Sequence, residues 1–134
     1  MQHRPDDEIT VLAVDDSASI RKLVELTLRR EGYTVVTADS GLTALAALAR
    51  RRPDLLLLDV MLLALDGFQL CRVIRDHPDY TDLPIVILSG RESAADHEAG
   101  LAAGVSAYLT KPFRPEQLLE TVREQLSARP KVVA

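Results

Sequence analysis

"DLLLLDVMLLALDG" (residues 54–67) decides how this chain is read. Four leucines run straight into Asp59, and five of the next six residues are again bulky and apolar. Burying an isolated carboxylate is costly unless it is paired, hydrogen-bonded or bound to a metal. A carboxylate kept in such surroundings has a use. The run is not a membrane span, because it breaks after four leucines and closes at Asp66-Gly67, far short of the roughly 20 uninterrupted apolar residues that a spanning helix needs.

Outward from that stretch, the N-terminus "MQHRPDDEIT" (1–10) has no apolar core and no small-residue cleavage site, so it is not a secretory signal and a cytoplasmic location is expected. Cys71 is the only cysteine and has no intrachain disulfide partner, in keeping with a reducing compartment. At 134 residues the chain suits one well-buried core and not two. The expected division is an N-terminal arm over 1–8, one folded domain over 9–127, and a tail or the start of a linker over 128–134. The net charge is −4, and the lysines and arginines are scattered apart from "ARR" (49–51). A direct nucleic-acid footprint would cluster its bases, so none is expected.

The apolar pattern switches repeatedly between two periods. Short runs rich in Val, Ile and Leu stand at 9–14, 34–37, 55–58, 85–88 and 107–109, each too short for a helix and flanked by turn signals, so five strands are predicted. Between them, apolar residues recur three or four apart. They are Ile20, Val24, Thr27 and Leu28; Leu42, Leu45 and Leu48; Phe68, Leu70, Cys71 and Ile74; and Leu118, Leu119, Val122 and Leu126. Those stretches are predicted to be helices packed by one face. A weaker, alanine-rich helix is predicted over 91–103. Ser40 is suited to cap the second helix and Pro115 to open the last.

Strands alternating with helices imply a parallel sheet covered on both faces, whose central strands read as unbroken apolar runs. Sites in such sheets form at the carboxyl ends of the strands. There the chain carries Asp15-Asp16, Asp59, Ser89-Gly90 and Thr110-Lys111-Pro112. Three carboxylates brought together repel one another unless a hard divalent cation sits among them, and magnesium suits such a site. Magnesium, a lysine and a hydroxyl together form a clamp for phosphoryl oxygens. A carboxylate in that clamp can act as nucleophile and become an aspartyl phosphate. Asp59, at the end of the predicted central strand, is the best placed.

These residues resemble the receiver domain of bacterial two-component response regulators, over about 8–127. "VDDS" (14–17) is similar to the acidic pair after the first strand, and "LLDVMLLALDG" (57–67) to the phosphoacceptor strand and loop. "VILSG" (86–90) and "YLTKPF" (108–113) are similar to the ends of the fourth and fifth strands. The separations of 30 residues from Asp59 to Ser89 and 52 from Asp59 to Lys111 fit as well. The resemblance implies an α/β fold: a single doubly wound, flavodoxin-like five-stranded parallel sheet, order 2-1-3-4-5, with five helices. It implies that Asp15, Asp16, Asp59 and the Met61 backbone carbonyl hold Mg2+ or Mn2+. Asp59 would accept the phosphoryl group from a sensor histidine kinase or a histidine phosphotransfer protein, with Ser89 and Lys111 binding its oxygens. Lys111-Pro112 would be a cis peptide. Ser89 and Tyr108 would form a switch read out on the face of the fourth helix, fifth strand and fifth helix, by a downstream protein or an output domain. The product is a signalling switch that assists its own phosphorylation and dephosphorylation, not a turnover enzyme.

The chain departs from the family pattern at several points. Leu63 replaces a common proline, Gly90 a frequent alanine, and Arg114 a frequent Ser or Thr cap, which should cost ~1 kcal/mol. Ser106-Ala107 stand where transcription-factor receivers tend to carry an acidic pair, which argues against a dimer of that type. Leu62, Leu63 and Leu65 either pack internally or form a partner patch. His3, His77 and His97 lack metal-ligand spacing and are read as solvated. Asp15-Asp16 could instead cap the first helix. Other functions weigh less. A haloacid-dehalogenase-type phosphohydrolase would want Asp-x-Asp after the first strand, and the chain has neither glycine-rich phosphate-loop pattern of a nucleotide-binding module. A phosphorylation-independent docking domain stays open, as does the choice between a stand-alone receiver and part of a longer regulator.

Overall fold

The computed structural model describes residues 8–60, 67–90 and 102–128. The predicted strands form as β1 (Thr10–Val14), β2 (Thr34–Ala38), β3 (Leu55–Asp59), β4 (Ile85–Ser89) and β5 (Ala107–Thr110). They make one sheet in the order β2-β1-β3-β4-β5, and every neighbouring pair is parallel. The expected order 2-1-3-4-5 is therefore the observed one, with β3 at the centre.

That centre explains the leucines. All four are 0% exposed, and successive side chains of a strand leave opposite faces. Leu56 and Leu58 enter the core of one face with Leu48 and Ile74, whereas Leu55 and Leu57 enter the other with Leu28 and Val122. The tetrad is two alternating pairs serving two cores.

Helices α1 (Ala18–Arg30), α2 (Gly41–Arg50), α3 (Gly67–Asp76) and α4 (Pro115–Ala128) cover the two faces. The Ser17 hydroxyl caps α1 by accepting from the Ile20 amide, and Val24, Thr27 and Leu28 are its buried residues. Beyond its C-terminus, Gly32 takes φ +91°, and the Gly32 and Tyr33 amides donate back to the Arg29 and Leu28 carbonyls. This left-handed closure needs a residue without a Cβ penalty. Ser40 caps α2 through a reciprocal pair with Thr43.

The predicted leucine face of α2 needs correction, because Leu42 is 80% exposed and the buried residues are Gly41, Ala44 and Leu48. Small residues at 41 and 44 bring this helix close to the sheet and turn Leu42 outward. In α3 the predicted Phe68, Leu70, Cys71 and Ile74 are all buried. In α4, which opens at Pro115, Leu118 and Val122 are buried while Leu119 and Leu126 pack at the margin. Arg114 offers no side-chain cap, but its amide donates to Gln117 Oε1 at 2.8 Å, the return half of a capping box. Of the helix predicted over 91–103, residues 91–101 lie outside those described. Among the described residues, no helix is long and apolar enough to cross a membrane.

Candidate functional site

The carboxyl edge of the sheet gathers the predicted residues. Asp15 follows β1 and Asp59 ends β3; both are buried, at 1% and 3% exposure, while Asp16 is exposed. One carboxylate oxygen from each of Asp15, Asp16 and Asp59 lies within 4.8 Å of the others. Lys111, just beyond β5, places Nζ 2.8 Å from Asp15 Oδ2 and 3.5 Å from Asp59 Oδ1. Ser89, at the end of β4, is 4% exposed and pairs in register with Thr110.

The backbone fixes this geometry. The Lys111 amide donates to the Ser89 carbonyl at 2.7 Å, and the Val60 amide to the Leu88 carbonyl at 3.1 Å. The Lys111–Pro112 peptide is cis. Asp15 is held from both sides: Oδ1 accepts from the Ser17 amide at 2.9 Å while Oδ2 accepts from Lys111. Ser17, not the acidic pair, supplies the side-chain cap of α1.

Three supports were not foreseen. The Arg21 guanidinium donates to the Asp15 carbonyl at 2.7 Å. The Ser17 amide orients the Asp15 carboxylate. Gly67 starts α3 so close to β3 that a Cβ there would lie 2.5 Å from the Asp59 carbonyl oxygen and 2.7 Å from Val60 Cα. Its glycine identity was visible; the close approach needs the folded chain.

Chemically, three hard oxygen donors face one ammonium, so the cluster keeps a negative excess. Hard donors at this spacing, with one carboxylate open to solvent, fit a divalent cation that retains waters. Carboxylates, an ammonium and a hydroxyl at one sheet edge have the chemistry that a phosphoryl-oxygen clamp requires.

The family description of the response regulator receiver domain matches residues 11–123. The chain belongs to that family. The receiver is 46% identical over 116 residues to response regulator MprA of Mycobacterium leprae, with 87% of this chain and 50% of that protein aligned. It is 44% identical over 118 residues to response regulator MprA of Mycobacterium ulcerans. The chain spans about half the length of these curated relatives. Among solved structures, the chemotaxis response regulator CheY4 of Vibrio cholerae superposes with a TM-score of 0.85 at 39% identity, covering 88% of this chain and 98% of that one. A CheY-like receiver domain protein of Methanospirillum hungatei gives a TM-score of 0.84 at 28% identity, covering 90% of this chain and 94% of its own.

Elsewhere on the receiver, Tyr108 is half-buried on β5 and meets the Phe68 ring edge-on, with centroids 6.5 Å apart. A Cβ on Gly90 would meet nothing within 4 Å among the described residues. Met61 and the Leu62, Leu63 and Leu65 loop lie outside the described residues, as do His3 and His97. His77 accepts from the Asp79 amide and packs on Tyr80.

Ser106 does something the missing acidic pair did not suggest. Its hydroxyl accepts from the Ile85 amide at 3.0 Å and from Arg75 Nη2 at 3.3 Å. Arg75 also donates to the carbonyls of Gly104 at 2.9 Å and Tyr80 at 2.8 Å, fastening the end of α3 to the entries of β4 and β5. Burial lowers the Arg75 pKa.

Proposed function

We propose that this receiver is a phospho-accepting switch in which Asp59 is the phosphoacceptor. The observation that carries the reading is the position of Asp59: buried at the end of the central strand, 3.5 Å from the Lys111 ammonium and within 4.8 Å of the Asp15 and Asp16 carboxylates. A carboxylate oxygen of Asp59 forms a bond to phosphorus as the bond from phosphorus to a histidine nitrogen breaks, and the nitrogen keeps the electron pair. The donor is a sensor histidine kinase or a histidine phosphotransfer protein. Lys111 pairs with one phosphoryl oxygen and the Ser89 hydroxyl donates to another.

Asp15, Asp16, Asp59 and the Met61 carbonyl would hold Mg2+ or Mn2+. The cation supplies charge neutralisation for the transferring group. Asp15 is already oriented by Ser17 and Lys111, so little rearrangement precedes the reaction. The added charge is read through Ser89 and Tyr108 on the face that includes β5 and α4, and passes to a downstream protein or output domain. The same residues assist phosphorylation and its reversal, in the cytoplasm. No observation favours the phosphorylation-independent docking reading, since every carboxylate, hydroxyl and lysine of the set is present.

The test is intact mass after incubation with a small-molecule phosphodonor, with and without magnesium, on the wild type and Asp59→Asn. One phosphoryl group is expected on the wild type with magnesium and none on the variant. A wild type that gains nothing under any condition sinks the proposal.

A further inference from the structure

The three carboxylates of the cluster are not held alike. Asp15 accepts from the Ser17 amide and from Lys111, and Asp59 ends a buried strand beside the same ammonium. Asp16 is exposed, and its carboxylate has no hydrogen bond or ion pair among the described residues. With no side-chain partner to hold it, the Asp16 carboxylate is placed by its backbone. Whatever fixes the two peptides that flank Asp16 therefore decides where its oxygens stand.

Both peptides are fixed. The one after Asp16 carries the Ser17 amide, which donates to Asp15 Oδ1 at 2.9 Å. The one before it carries the Asp15 carbonyl, which accepts from Arg21 Nη1 at 2.7 Å. A peptide unit is planar, so a bond to its carbonyl restricts its amide side as well. Arg21 is itself well placed to act as a support. It is half-buried, and its amide donates to the carbonyl of Ser17, the cap of α1, at 3.0 Å.

We propose that Arg21 is a positioning residue of the metal site: through the Asp15–Asp16 peptide, its guanidinium aims the Asp16 carboxylate at a divalent cation shared with Asp15 and Asp59. The inference rests on the reading of Asp16 as a metal ligand. A group that orients a ligand without touching the metal is worth about 10–100-fold in metal affinity. The positive charge of Arg21 makes the case sharper, because a guanidinium beside a cation site repels the ion. Its bond goes to the Asp15 carbonyl, while the two Asp15 carboxylate oxygens take other donors. As a local charge alone, Arg21 would weaken cation binding, and its removal would tighten it. As a positioning residue, its removal loosens binding. The two roles have opposite signs.

Free Mn2+ counted by electron paramagnetic resonance measures the affinity without any phosphoryl transfer. The proteins are the wild type, Arg21→Met, Arg21→Lys, Asp16→Asn and the double variant Asp16→Asn/Arg21→Met, each checked for folding by its amide NMR spectrum. In Arg21→Met the Kd for Mn2+ should rise about tenfold. Arg21→Lys keeps the charge with a single point donor, so a purely Coulombic role predicts wild-type affinity, whereas positioning predicts a Kd between those of the wild type and Arg21→Met. Asp16→Asn should weaken binding, and adding Arg21→Met to it should cost no further factor, because residues that act through one contact are not additive. Unchanged or tighter binding in Arg21→Met overturns the proposal, and so does a tenfold loss that persists in the Asp16→Asn background. A wild type that takes up no Mn2+ overturns it together with the metal reading. Failure of phosphoryl transfer alone, with these affinities in the expected order, sinks the switch reading and leaves the role of Arg21 established.

Discussion

Lys111→Met removes the one ammonium from a cluster of three carboxylates and keeps most of the side-chain length. Lys111 Nζ lies 2.8 Å from Asp15 Oδ2 and 3.5 Å from Asp59 Oδ1, and both aspartates are almost fully buried. Each contact carries about 5 kcal/mol of attraction at an effective dielectric of about 20, much of it offset by desolvation. Breaking a buried pair from one side still costs about 3–5 kcal/mol, because the other charge stays behind uncompensated. The Lys111 side chain is 23% exposed, so water can reach the vacated place and the expected loss is about 2–3 kcal/mol. Urea unfolding in the presence of a chelator would measure it, with an unchanged slope showing that only stability moved. Magnesium should then stabilise the variant more than the wild type, because a divalent cation meets no ammonium competing for the same carboxylates. Equal stability in chelator, or equal gains from magnesium, would refute the view that the lysine holds this cluster together.

Three further changes probe the supports. Ser106→Ala deprives the fully buried Ile85 amide of its acceptor and should cost about 1–2 kcal/mol by denaturation, with Ser106→Thr restoring most of it. Gly67→Ala forces a Cβ against the Asp59 carbonyl and Val60; about 1–3 kcal/mol of stability and a slower phosphodonor reaction should go together, the latter read by intact mass. Cys71 is buried, donates its thiol to the Ala103 carbonyl at 3.1 Å, and has its pKa raised by burial. Its alkylation should be far slower in the native protein than in urea. Above the ordinary thiol pKa of about 8.5, the unfolded chain ionises there while the native chain does not. The wild type should therefore lose stability with rising pH relative to Cys71→Ala.

Strand positions were legible because central parallel strands read as short, nearly continuous apolar runs, and the length and flanking turn signals of "LLLLD" favour a strand over a buried helix. That Asp15, Asp16, Asp59, Ser89 and Lys111 share one edge was legible because they end or directly follow those strands in the chain. Two kinds of feature escaped. Spacing alone points Leu42 inward, and spacing does not report that Gly41 and Ala44 are the residues the sheet admits. The roles of Arg75, Ser106 and Gly67 depend on contacts across long separations, as from Arg75 to Ser106 over 31 residues, and no local pattern encodes them.

The strand order has a consequence for how the protein is made. Asp15 and Asp59 meet once β3 has paired with β1, but Lys111 reaches Asp15 across 96 residues of chain and follows the last strand to be synthesised. Domains assemble as the chain emerges from the ribosome, so a nascent intermediate that includes β3 but ends before residue 111 carries the acidic cluster without its cation. On the proposed roles, such a fragment could collect a metal ion yet could not grip a phosphoryl group. Competence to receive a signal is thus deferred until synthesis has passed the final strand. An unfinished chain stays silent.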